Sequence, residues 1–167
     1  RNLVHARRVP LKLISRWIIM SIKRNCAVLA MLFSVSMSVA GAEEQLRVLK
    51  DPNCGCCEKW AAQIRAQFKR SVTIVDDRSR SSFQRSHGVP LRLASCHTAV
   101  IDGMVFEGHV PINDIKRVLA VRPRGVAGLA VAGMPLGSPG MEIPSQPAQS
   151  YQVVAFGPSG QRVFARH

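Results

Sequence analysis

Three cysteines within four residues constrain this chain more than any other feature of its sequence. Cys54, Cys56 and Cys57 lie where an apolar strand pattern around Leu46 and Val48 gives way to a helical pattern. A thiol at the start of a helix is close to unpaired N–H groups and to the positive end of the helix dipole, which favour the thiolate. Such a thiolate acts either as a redox nucleophile or as a ligand for a soft metal ion.

The residues before this motif have the pattern of a leader. Residues 20–42 predict a secretory signal peptide, with two basic residues, a mostly apolar run over 26–39 and a small-x-small cleavage pattern at 40–42. Residues 1–19 are interpreted as an upstream or leader extension. The apolar run is too short to favour a membrane-spanning helix. We therefore expect cleavage, a mature domain over 43–167 and no stable membrane insertion, with an uncleaved anchor as the alternative.

The distribution of charge indicates which kinds of partner the protein is expected to bind. The formal net charge is +13, but seven of the 23 Lys and Arg residues and none of the ten acidic residues precede residue 43. The mature part therefore has sixteen basic and ten acidic residues, dispersed along the chain. Nucleic-acid binding calls for a clustered basic stripe or interleaved aromatic residues. Neither is present, so no nucleic-acid partner is expected, and the mature length suits one domain.

The hydrophobic pattern predicts alternating strands and helices, followed by a long irregular segment and a final hairpin. Residues 125–147 are rich in Gly, Pro and Met and predict a long loop without regular structure. The predicted strands are 46–49, 72–75, 98–102, 104–107, 151–156 and 163–166, and the predicted helices are 57–69, 79–86 and 111–122.

This order of elements resembles an α/β thioredoxin-like domain, a mixed central sheet flanked by helices, with a C-terminal β-hairpin appended. The Cys-Gly-Cys-Cys motif at 54–57 is similar to the thioredoxin Cys-Gly-Pro-Cys motif, with Cys56 at the proline position. In thioredoxin-like proteins the residue before the third strand lies against the cysteine loop, and here that place holds Cys96 and His97. The resemblance therefore implies a four-thiol pocket with His97 at its edge. We name its four cysteines (Cys54, Cys56, Cys57 and Cys96) the thiol cluster.

Four thiols in one pocket favour copper. Soft thiolates select Cu(I), zinc or iron–sulfur clusters. Zinc commonly takes two well-separated pairs of ligands. The adjacent Cys56 and Cys57 fit this pattern less well. Close thiolates that can bridge metal ions suit a multinuclear Cu(I) cluster better. Met134 and Met141 add thioethers that favour Cu(I) over zinc, although a methionine more often fills a core or anchors a loop. His109 is a further weak candidate ligand.

Two other functions fit the same residues. In a thiol–disulfide or copper oxidoreductase, Cys54 would be the exposed nucleophile, with Cys57 or Cys96 resolving the mixed disulfide. This interpretation leaves Cys56 unexplained, because a dithiol enzyme needs two cysteines. The third alternative is a disulfide-stabilised module that binds a partner protein. The crowded spacing argues against it, because a disulfide stabilises mainly by closing a long loop.

Several motifs together are similar to one family, a domain-of-unknown-function family of secreted bacterial proteins that includes the copper-resistance protein CopG. The motifs are Cys-Gly-Cys-Cys at 54–57 with Lys59-Trp60, Ser-Cys-His-Thr-Ala-Val at 95–100, Gly-His-Val-Pro at 108–111, Gly-Leu-Ala at 128–130 and the Gly-Met-Pro to Gly-Met-Glu segment at 133–142. The resemblance runs from about residue 46 to 167. It implies a thioredoxin-like fold, a periplasmic location, copper bound by the thiol cluster and a role in copper redox handling. Copper ions and components of copper efflux or oxidase systems are the partners expected.

Overall fold

The computed structural model describes residues 46–167, so the predicted leader extension and signal peptide lie outside the described residues. Within them the chain forms seven strands, three α-helices and one short 3-10 helix at Leu91–Leu93. No helix in this part of the chain is long and apolar enough to cross a membrane. The elements are β1 (Leu46–Lys50), α1 (Gly55–Phe68), β2 (Val72–Asp76), α2 (Arg80–Ser86), β3 (His97–Ile101), β4 (Met104–Glu107), α3 (Ile112–Val121), β5 (Gly128–Ala130), β6 (Gln152–Gly157) and β7 (Gly160–Arg166).

All seven strands join one mixed sheet in the order β2-β1-β3-β4-β5-β6-β7. The β1–β2 and β4–β5 pairs are parallel, and the other pairs are antiparallel. The core forms where helices cover the sheet: Trp60 and Ile64 of α1 and Ile115 and Val118 of α3 are fully buried in one cluster with strand residues. The i, i+4 and i, i+3 spacings of these residues put each pair on one helix face. The predicted α/β class with a mixed sheet is confirmed.

The pairing of β1 with β3 positions the functional residues. These strands are antiparallel, and Lys50 at the end of β1 lies opposite His97 at the start of β3. The loop that leaves β1 and the residue that enters β3 therefore meet at one end of the sheet. The backbone N–H of Asp51 donates to the carbonyl oxygen of Cys96 at 3.0 Å, which ties the two segments together directly.

One predicted loop and several predicted boundaries need correction, and the final hairpin is confirmed. Residues 125–147 are not wholly irregular, because β5 lies within them and pairs with both β4 and β6. A Cβ at Gly128 would overlap the carbonyl oxygen of Val105, so the glycine that made this segment look like a loop is what lets the strands approach. Helix α1 begins at Gly55, two residues before the predicted start. Strands β6 and β7 form the predicted C-terminal hairpin.

Candidate metal centre

The structure brings the four cysteines of the thiol cluster together. Cys54 immediately precedes α1, Cys56 and Cys57 occupy its first turn, and Cys96 is the residue before β3. Their sulfur atoms all lie within 4.8 Å of one another, and Sγ of Cys54 is 3.4 Å from Sγ of Cys56. The arrangement therefore depends on both the helix start and the β1–β3 pairing.

The thiol cluster is partly oxidised. Cys54 and Cys57 form a disulfide across the first turn of α1, with their Cα atoms 5.4 Å apart. Cys56, which is half-buried, and Cys96, which is buried, are free thiols. Reduction of the disulfide would supply two further thiols within reach of the two that are already free. The number of sulfur ligands therefore depends on the redox state.

Cys96 is surrounded by protein groups rather than by water. Burial raises the pKa of its thiol to about 11. Its sulfur lies 3.2 Å from Nε2 of His109 and 3.5 Å from Nδ1 of His97. A thiol with this pKa is protonated at neutral pH, so it becomes a ligand when a metal ion displaces its proton.

His97 and His109 make a second donor group with Cys96. The ligand atoms of the three residues lie within 4.8 Å of one another. Burial lowers the pKa of both imidazoles, that of His97 well below its usual value, and the neutral ring is the form that binds metal ions. Nδ1 of His109 lies 2.9 Å from the carbonyl oxygen of Pro139, to which it can donate only as N–H, leaving Nε2 free to face Cys96 as an acceptor. His109, a weak candidate from sequence, is thus adjacent to the thiol cluster.

His97 carries a feature that fits a bound metal ion. Its ring is fully buried, and among the described residues its Nε2 has no hydrogen-bond partner. An unpaired polar atom inside a protein costs free energy, and native structures rarely retain one. Nδ1 of the same ring lies 3.5 Å from Sγ of Cys96, so imidazole and sulfur donors lie together and the residues present fit a soft metal ion.

The two methionines occupy different environments. Met134 is 53 % exposed, whereas Met141 is half-buried. The loop that carries them packs on the thiol cluster through Gly140, where an added Cβ would lie 2.6 Å from the carbonyl oxygen of Cys56. Glu142 accepts a hydrogen bond from Gln63 of α1 at 2.9 Å and fixes the same loop from the other side. The loop therefore closes over the start of α1.

The sequence analysis missed a buried carboxylate beside the centre. Glu107, the last residue of β4, is fully buried and accepts hydrogen bonds from the backbone N–H of Ser95 and the hydroxyl of Thr98, the neighbours of Cys96 and His97. Burial raises the pKa of Glu107 to about 7, against the effect of these donors. The only local indication of this buried carboxylate in the sequence was an acidic residue at the end of the apolar strand Met-Val-Phe-Glu.

The fold and the site together define a small mixed α/β protein with a cysteine cluster that could hold a metal ion. The chain belongs to the family of the copper resistance protein CopG, as its motifs predicted. Two solved structures named Copper resistance protein copG, forms 1 and 2, each match with 40 % sequence identity and a TM-score of 0.67. Each match covers 74 % of this chain, and 96 % and 97 % of the respective CopG chains. The family described as "Protein of unknown function, DUF411" matches residues 93–141. No curated protein sequence gives a significant match.

Proposed function

We propose that this protein is a periplasmic copper-binding protein of copper resistance, which binds Cu(I) through the thiol cluster with His97 as an additional ligand. The observation that carries the proposal is the convergence of four sulfur atoms, from two distant segments, within 4.8 Å in a relative of CopG. Soft thiolates favour Cu(I) among the metals available to a cell. Neighbouring thiolates can also bridge metal ions, which allows a multinuclear cluster, and zinc is the competitor.

We also propose that the fold is thioredoxin-like and that the protein is exported. The β1-α1-β2 unit followed by β3-β4-α3 supports the first part, with the disulfide at the start of α1 and Cys96 just before β3. The pattern over residues 20–42 supports a signal peptide, with a mature domain over 43–167. Components of copper efflux or copper oxidase systems are the proposed protein partners.

A second candidate is a thiol–disulfide or copper oxidoreductase. The Cys54–Cys57 disulfide favours it, because two cysteines in a Cys-x-x-Cys arrangement at the start of a helix form a reactive dithiol when reduced. Reduction of the disulfide to two thiols takes two electrons and two protons. Two Cu(I) ions can supply those electrons by becoming Cu(II), or an incoming dithiol can supply them by becoming a disulfide.

An anaerobic Cu(I) titration of the reduced protein against a competing chelator tests the proposal. We expect tight uptake of more than one copper ion per chain, weaker uptake of zinc, and loss of copper uptake when the four cysteines are replaced by serine. The untreated protein with its disulfide intact is the matched control and should bind less copper. Uptake no greater than the chelator background would reject the copper-binding function and favour the oxidoreductase, which a dithiol–disulfide exchange assay then measures.

A further inference from the structure

A buried ionic network lies behind the thiol cluster and connects the two segments that carry it. Its central pair is Arg80 of α2 and Glu107 of β4, and both residues are more than nine-tenths buried. Nη1 of Arg80 lies 3.4 Å from Oε1 of Glu107. Neither residue is part of the thiol cluster or of the Cys96–His97–His109 group, so their burial is not explained by metal ligation.

The Glu107 end of the network holds the segment that carries Cys96. Oε1 of Glu107 accepts from the backbone N–H of Ser95 at 2.6 Å and from Nε2 of Gln84 at 2.5 Å. Oε2 accepts from the hydroxyl of Thr98 at 2.5 Å. Because Ser95 and Thr98 lie on both sides of Cys96 in the sequence, one carboxylate fixes the backbone that presents this thiol.

The Arg80 end holds the segment that carries the other cysteines. Nε and Nη2 of Arg80 both donate to Oδ1 of Asp51, at 3.1 and 2.9 Å. The carbonyl oxygen of Asp51 accepts from the N–H of Cys54 at 3.3 Å, and the N–H of Asp51 donates to the carbonyl oxygen of Cys96. The guanidinium therefore spans the gap between the start of α1 and the entry to β3.

We propose that Arg80 and Glu107 are positioning residues that set the separation between the cysteines at the start of α1 and Cys96. This inference rests on the proposed copper-binding function. A buried ion pair adds little net stability, because desolvation offsets its Coulomb attraction, and in some proteins buried ionic groups are retained because they specify one geometry. Ligands that share metal ions must be held to within a fraction of an ångström. The network supplies that constraint without touching the metal.

The test compares variants of this pair with an ion pair elsewhere whose arginine is buried to a similar extent. The site variants are Arg80→Gln, Arg80→Lys, Glu107→Gln and the double variant Arg80→Gln/Glu107→Gln. The control is Arg70→Gln, because Arg70 pairs with Asp102 at 2.6 Å just after β3, at the opposite end of that strand from Cys96. Cu(I) affinity and the free energy of unfolding are measured for each protein at pH 8.

We expect the site variants to lose about tenfold to a hundredfold in Cu(I) affinity, the usual effect of removing a group that supports metal ligands. Arg70→Gln should stay within about twofold of the unchanged protein, whatever its loss of stability. The double variant should be no weaker than the worse single variant, because the two side chains act as one unit. An equal affinity loss in Arg70→Gln would overturn the proposal, since general destabilisation would then explain the result.

The metal-free protein supplies a second readout that does not depend on copper. Releasing Asp51 loosens the loop before Cys54, which lowers the effective concentration of the Cys54 and Cys57 thiols for each other. The disulfide should become easier to reduce, with a more positive reduction potential in the Arg80 variants and no change in Arg70→Gln.

The two readouts separate failure of the proposed function from failure of the inference. If the unchanged protein binds no Cu(I), the proposed function fails, and the reduction potential of the disulfide alone tests the positioning role. If Arg80→Gln does not fold, Arg80→Lys takes its place. Unchanged affinity and potential in folded Arg80→Lys and Glu107→Gln would overturn the inference.

Discussion

Gly140 is the residue at which the methionine loop contacts the thiol cluster, and it allows a quantitative test of that contact. Its φ of +86° is in the left-handed region. A Cβ there would lie 2.6 Å from the carbonyl oxygen of Cys56 and 3.0 Å from the backbone nitrogen of Trp60. Both atoms belong to the backbone of α1, so neither can move aside as a flexible side chain would.

The cost of Gly140→Ala follows from two separate effects. A non-glycine residue in the left-handed region costs about 1–2 kcal/mol. Forcing a methyl group into a packed contact costs a further 1–3 kcal/mol, roughly. Gly133 lies in the same loop with φ of +68°, but a Cβ there would have no heavy atom within 4 Å. Gly133→Ala therefore incurs the backbone strain alone and is the matched control.

Urea unfolding of the two variants separates the effects. We expect Gly140→Ala to be less stable than Gly133→Ala by about 1–3 kcal/mol, which lowers the midpoint by about 1 M for a protein of this size. Cu(I) affinity should also fall in Gly140→Ala and not in Gly133→Ala, because the displaced loop would push on the first turn of α1. Equal midpoints for the two variants would refute the claim that the loop packs on the thiol cluster through Gly140.

Three further predictions follow from the site and the core. Cys56→Ser should lower the number of Cu(I) ions bound per chain and leave the Cys54–Cys57 disulfide intact, by titration and thiol counting; an unchanged copper number would remove Cys56 from the site. Trp60→Phe should lower the free energy of unfolding by about 1–3 kcal/mol, because the buried carbonyl of Val110 loses the indole N–H that donates to it at 3.0 Å. Denaturant unfolding measures this, and a neutral effect would mean that the hydrogen bond is dispensable. For each Cu(I) site, free Cu(I) at one hundred times the Kd of that site should stabilise the reduced protein by about 2.7 kcal/mol, seen by calorimetry as a higher Tm; a constant Tm would contradict preferential binding to the folded state.

Those parts of the fold that have local periodicity could be predicted from the sequence. Trp60 and Ile64 recur at four-residue spacing and are fully buried in α1. Two strand-like runs on either side of the Asp102-Gly103 turn signal predicted the β3–β4 hairpin, and both turn residues have positive φ. The proximity of Cys96 to the other cysteines came from the resemblance to thioredoxin-like proteins, because no local pattern specifies which distant segments meet.

The features that could not be predicted depend on non-local contacts. Strand β5 is only three residues long, and pairing with strands on both sides decides its conformation more than its own composition does. The Arg80–Glu107 pair joins residues 27 positions apart, and each side chain alone has the appearance of an ordinary surface charge. The orientation of His109 beside Cys96 depends on the contact between its Nδ1 and the carbonyl oxygen of Pro139, thirty residues away.

On the proposed export to the periplasm, the separation of Cys96 from the other cysteines along the chain also affects which thiols form a disulfide first. Cys54 and Cys57 are three residues apart and can join within a single turn. A bond from Cys57 to Cys96 must first close a loop that spans 39 residues. The entropy of closing a loop rises with its length, and short loops also close faster. We therefore expect the Cys54–Cys57 bond to form before any bond to Cys96, so that Cys56 and Cys96 are both free thiols when β1 and β3 pair.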